Sequence, residues 1–130
     1  MARSANVLYE ALRDVRDDDD NEVFTNRNIF IDILPEDREK DIKKSASVVI
    51  EPRDEVREQV FGGHSILRNT EYYLTFMHAS PAQVTDVMRR AIRCIRGTRR
   101  LSHHELLDAQ FAWDKKLQTY ARQVRVIMFR

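Results

Sequence analysis

The chain has one cysteine, three glycines, three prolines and one tryptophan in 130 residues, and each scarcity closes off a class of explanation. A lone thiol, Cys94, cannot form an internal disulfide, which excludes a disulfide-stapled secreted scaffold and fits an intracellular or intracellularly assembled protein. With glycine only at 62, 63 and 97, there is no Gly-rich loop to cradle a phosphate, and no Gly-x-Ser-x-Gly elbow is present either. No apolar h-region opens the chain, and no stretch approaches the roughly 20 apolar residues of a membrane span, so a soluble, non-secreted chain is expected. Neither sign of charge dominates. The 22 Lys and Arg against 21 Asp and Glu argue against a dedicated nucleic-acid coat protein. The length sets a limit of its own: one domain over residues 1–130, able to bury roughly two thirds of its unfolded surface around a single core.

What is present is clearest from Ser80 to Arg130. Ser80 is placed to cap a helix, Pro81 suits its first turn, and Gln83 stands where the reciprocal partner of a capping box belongs. Val84, Val87, Met88, Ala91, Ile92 and Ile95 recur at helical spacing, and Gly97 supplies a stop, so the pattern predicts a helix over Pro81–Ile95. Leu107, Ala109, Phe111 and Trp113 then alternate, and Tyr120 to Phe129 is rich in β-formers, which predicts two strands joined at Asp114-Lys115-Lys116.

Upstream, Val7, Leu8, Ala11, Leu12 and Val15 form a helical stripe with Ser4 or Asn6 as cap. That helix should end near Arg16, before Asp17–Asp20 sets like charges against the negative end of its dipole. Val23–Leu34 reads as a first strand region stopped by Pro35. The charged connection 36–44 has room for one or two helical turns, and Ser47–Glu51 is a second strand closed by Pro52. Asn69–Ala79 is the third, with Tyr72, Leu74, Phe76 and His78 on one face and Tyr73, Thr75 and Met77 on the other. Between them, 53–69 reads as a hairpin or arm turned at Gly62-Gly63. Val60, Phe61, Ile66 and Leu67 in it are costly to leave in water. Burial against another subunit and folding back over its own domain stand as equal readings. The expected order is helix, three strands, helix, two strands: an α+β fold, mainly antiparallel, with helices packed on one face of the sheet.

No constellation asks for catalysis. His64, His78, His103 and His104 are the only histidines, and the adjacent His103-His104 pair would point to opposite sides of a strand, so neither a metal nor a cofactor is expected. The four aspartates lack the glycine and closing glutamate of a calcium loop and read as a solvated turn, or as an acidic patch facing a channel. Cys94, beside the apolar stripe of its helix, reads as a small half-buried thiol. The arginines stand out. Residues 89–100 hold six of them, and Arg89, Arg93, Arg96 and Arg100 follow at three- and four-residue spacing along one helical face or its continuation. A solvated helix back is the bland reading, helped by cations near a helix C-terminus. Solvated backs usually mix signs, however, and no acid follows Asp86 here. A protein partner is preferred over nucleic acid because the face lacks interleaved aromatics for base stacking.

The order of elements resembles the tail-terminator and tail-completion proteins of long-tailed bacteriophages. The likeness runs through the opening helix with Leu8-Tyr9-Glu10-Ala11-Leu12, then Val23-Phe24 and the strand at Val48–Ile50. It continues through Tyr72–Met77 leading into the helix at Pro81–Ile95, and the closing Arg122-Gln123-Val124-Arg125-Val126. It is one of pattern and size, and the charged insertion 35–45 and the long segment 53–69 exceed the family's minimal pattern. The resemblance implies a non-enzymatic virion protein assembled in the host cytoplasm. It implies a homo-oligomeric, usually hexameric ring at the head-proximal end of the tail, contacting the tail-tube protein and the head connector or adaptor, with DNA passing through the lumen unread. Arg89, Arg93, Arg96, Arg100, Val60, Phe61, Ile66 and Leu67 are the expected interface residues. Two other classes remain open: a nucleic-acid-binding α+β module using the arginine helix, and a small enzyme with a polar pocket around His78, His103 or Asp108.

Overall fold

A computed structural model of the chain describes residues 3–52, 56–60, 64–98 and 104–129, with 3–5, 56–60, 64–70, 104–111 and 128–129 described by their backbone course alone. The elements run α1 (Arg3–Arg13), β1 (Ile29–Ile31), a 3-10 turn (Glu36–Arg38), α2 (Asp41–Lys44), β2 (Ser47–Pro52), β3 (Val56–Val60), β4 (His64–His78), α3 (Pro81–Gly97), β5 (His104–Asp114) and β6 (Thr119–Phe129). The strands form a mixed, mostly antiparallel sheet in the order β1-β2-β4-β6-β5, with β3 paired to the outer part of β4. The fold is α+β, as expected.

The two long helices lie on one face of this sheet. Alternation sends Val48, Ile50, Tyr72, Leu74, Phe76, Val124 and Val126 inward, where they meet Leu8, Ala11, Leu12 and Val15 of the α1 segment and Val84, Val87, Met88, Ala91 and Ile95 of α3. The opposite parity of the same strands builds a smaller cluster on the other face, where Val49 and Met77 meet Ile42 of the four-residue α2. Ser80 caps α3: its hydroxyl accepts the Gln83 amide at 3.4 Å, and Pro81 occupies the first turn. The reciprocal half of a capping box is replaced, because the Ser80 amide donates instead to His78 Nδ1 at 3.0 Å.

Three expectations need correcting. The first strand is only Ile29–Ile31 and runs parallel to β2. Before it, residues 26–28 turn; after it, Asp32 takes a left-handed φ of 73°, and Ile33 is left 72 % exposed. The apolar run from Val23 to Leu34 is thus split between a turn, a short strand and solvent. Second, α1 ends at Arg13 rather than near Arg16; Arg16 turns back to donate to the Arg13 carbonyl at 2.7 Å and forms a bridge with Glu22 across the aspartate turn. Third, four strands precede α3 instead of three. The fourth is β3, and it follows β2 along the same side of β4: β2 pairs with Tyr72–Met77, and β3 with His64–Asn69. Since β6 pairs with β4 from His78 only as far as Asn69, residues 64–68 of β4 have β3 as their sole strand partner among the described residues.

Candidate functional site

α3 sorts its arginines into two groups. Arg90 faces α1 and the aspartate turn: its guanidinium meets Asp86 at 3.0 Å and Asp18 at 3.1 Å, and donates to the Arg16 carbonyl at 3.2 Å. Those hydrogen bonds to Asp86 and Asp18 raise its pKa further above the usual arginine range. Arg90 is a structural tie between helix and turn. Arg89, Arg93 and Arg96 are exposed, and no ion pair engages them among the described residues.

These three share a cleft with Arg122. It has a volume of about 520 Å³ and is lined by Met88, Arg89, Ile92, Arg93, Arg96, Arg122 and Val124. Its geometry follows from the sheet order. α3 packs across β4 and β6. Arg122 has the same parity as the inward-facing Val124 and Val126, so it stands on the helix face of the sheet. Met88, Ile92 and Val124 make an apolar floor beneath four guanidinium groups. Ile92, expected in the buried stripe, is only half-buried and belongs to this floor.

The aspartate turn lies on the other flank of α3. Asp17 Oδ1 accepts the amides of Asp19 and Asn21, both at 2.9 Å, and Asp20 adopts a φ of 63°. This is a side-chain-shaped turn, and Asp18, Asp19 and Asp20 are exposed. Cys94 sits on the same flank, donating to the Ala11 carbonyl at 3.4 Å. Burial, with Asp14 nearby, pushes its thiol pKa up, opposite to what a nucleophile needs.

The remaining expected residues are not brought to the cleft by any described contact. Arg100 and Phe61 lie outside the described residues, as does the Gly62-Gly63 turn. Val60 pairs with His64 and Leu67 with Glu58, and Ile66 is the extra residue where the register shifts; their side chains lie outside the description. His103 and the Asp108 side chain do too. His78 is accounted for structurally: Nδ1 accepts from Ser80, the other ring nitrogen donates to the Lys44 carbonyl, and burial lowers its pKa. Among the described residues no group of three His, Cys, Asp or Glu could hold a metal, and no helix is long and apolar enough to cross a membrane. Sequence reasoning missed Arg122. The signal for it was an arginine in the inward parity of a strand otherwise reading Val124 and Val126.

Compared with known proteins, no protein-family model matches this chain, and no curated protein matches it.

Proposed function

We propose that this chain is an assembly subunit, a tail-terminator or tail-completion protein that forms a ring at the head-proximal end of a long phage tail and joins the tail to the head connector. The observation that carries this reading is the ribbon made by β3 and the outer part of β4. It continues past the last residue that β6 pairs, so along both strands the backbone edge that does not face the other is open among the described residues. Among the described residues β5 likewise pairs only with β6. Open edges of this kind invite strand addition from a neighbour, and a rotationally symmetric ring satisfies them without leaving a free end. The short β1, the charged connection after it and the arginine cleft supply rims that set partner choice rather than a reaction centre.

The test is deletion of residues 58–66. The shortened chain keeps its far-UV spectrum and melting temperature but no longer forms closed particles by native mass spectrometry and electron microscopy, and it fails to complement head–tail joining. A wild-type chain that stays monomeric both alone and with tail tubes overturns the proposal. Steeply salt-dependent binding of the free chain to duplex DNA would instead support a nucleic-acid-binding module.

A further inference from the structure

We infer that the arginine cleft receives the Asp17–Asp20 turn of a second copy of this chain, so that subunits join head to tail through α3. The inference rests on the assembly reading above and names the contact that would build the ring.

Three observations converge on it. First, the two patches have opposite sign and lie on opposite flanks of the same helix. Arg90 and Cys94 look toward α1 and the acidic turn, Met88, Ile92 and Arg96 look toward β6, and Arg93 stands on the ridge between them, lining both the cleft and a shallow hollow beside Asp14 and Arg16. Within the subunit the turn meets Arg90 and, among the described residues, forms no ion pair with an arginine of the cleft. Contact between different patches on two copies is heterologous, the kind that closes into a ring when the rotation per subunit allows.

Second, each patch is incompletely used within the subunit. Of the turn's four carboxylates, Asp18 meets Arg90 and Asp17 is occupied in shaping the turn. Asp19 and Asp20 are exposed, with no ion pair to them among the described residues. Across α3, the guanidinium groups of Arg89, Arg93 and Arg96 likewise form no ion pair among the described residues. The chain as a whole carries a net charge of only +1. Complementary patches on a near-neutral chain favour like-with-like assembly over capture of a polyanion.

Third, the cleft is not a bare charged surface. The half-buried Ile92 presents an apolar patch over the buried Met88 and Val124, and an occupant seated on it displaces water from around the guanidinium groups. Charge pairs there are screened less than pairs on an open surface. The turn is a suitable occupant because it arrives preshaped: Asp17 holds its backbone through two amide hydrogen bonds, so little ordering is left to be done on contact.

Charge exchange tests the inference. Arg93→Glu with Arg96→Glu should raise the dissociation constant for self-assembly at least about tenfold, as should Asp19→Lys with Asp20→Lys. Combining all four substitutions in one chain should restore assembly, because every interface again pairs opposite charges. All four positions are exposed, so thermal melts of the variants should stay close to wild type, which separates lost contact from lost fold. Assembly is read by native mass spectrometry and sedimentation over a range of salt. Rings that persist through both reversals overturn this contact while leaving the assembly reading intact. So does a fourfold variant that is folded yet still unassembled. A wild-type chain that never self-associates, alone or on tail tubes, overturns both. Duplex DNA bound at physiological salt and released by the arginine reversals alone places nucleic acid in the cleft and overturns the contact as well.

Discussion

Asn28 shows how much one polar side chain can organise. It is 8 % exposed, its Oδ1 accepts the Thr25 amide, and its Nδ2 donates to the carbonyls of Val23 at 3.1 Å and Ala46 at 3.0 Å. Its own carbonyl receives the Val48 amide at 2.9 Å, which sets the parallel register of β1 on β2. Asn28→Ala removes the side-chain bonds and strands three backbone groups in a poorly hydrated place. A loss of about 2–4 kcal/mol in chemical denaturation is expected. His78 makes a second such tie, between the end of α2 and the start of α3; its Lys44 half survives protonation, but the bond in which Nδ1 accepts the Ser80 amide holds only while the ring is neutral. Its folded pKa lies below the ordinary 6.5 because burial disfavours the charged ring. The unfolded chain therefore binds the proton more readily, and the stability His78 supplies is present above about pH 6.5 and lost as pH falls through the folded value. Melts should show the wild type more stable than His78→Gln near neutral pH, with the gap narrowing as the pH falls below about 6.5. A constant gap would mean that protonation does not break the tie.

At the scale of the element, α3 carries two surfaces with different consequences. Ile95 is fully buried, and Ile95→Ala should destabilise the fold by about 2–5 kcal/mol. Ile92 lines the cleft, so Ile92→Ala should cost well under half of that, and denaturant titration of the two variants side by side tests the assignment. Ser80→Ala removes the cap and should cost about 1 kcal/mol. The aspartate turn is a smaller element, closed by the Arg16–Glu22 bridge and tied to α3 by the exposed Asp18 on Arg90. Exposed pairs contribute about 0.2–1 kcal/mol, so Asp18→Asn should leave the melting temperature nearly unchanged. The turn's shape depends more on Asp17.

At the scale of the molecule, the sheet is covered unequally. α1 and α3 close most of one face over a continuous core, and a much smaller cluster under α2 closes part of the other. On the β5–β6 margin Trp113, 51 % exposed, rests against Tyr120 with ring centroids 4.6 Å apart. The β3–β4 ribbon leaves the body at the other end of β4. An assembly built through these margins should weaken with salt where the contact is the arginine cleft. Through the ribbon, where backbone pairing dominates, it should respond less. Sedimentation of wild type and the 58–66 deletion across a salt series distinguishes the two contributions.

The elements that local periodicity and capping specify were legible in the residues themselves. α3 begins at Pro81 as its Ser80 cap and proline demand, β4 buries Tyr72, Leu74 and Phe76 as alternation requires, and the arginines share a face because helical geometry repeats every three to four residues. Decisions between distant segments were not legible. The apolar run at Val23–Leu34 looked like one strand, and only Asn28 reaching Val23 and Ala46 reduced it to three residues. Which arginines are spent on structure depended on where the Asp18 turn folds back, and Arg122 joined the cleft because β6 lies beside α3. A sequence pattern fixes which face a residue occupies within its own element. What stands opposite that face is settled only when elements far apart in the chain pack together, through contacts no local pattern encodes.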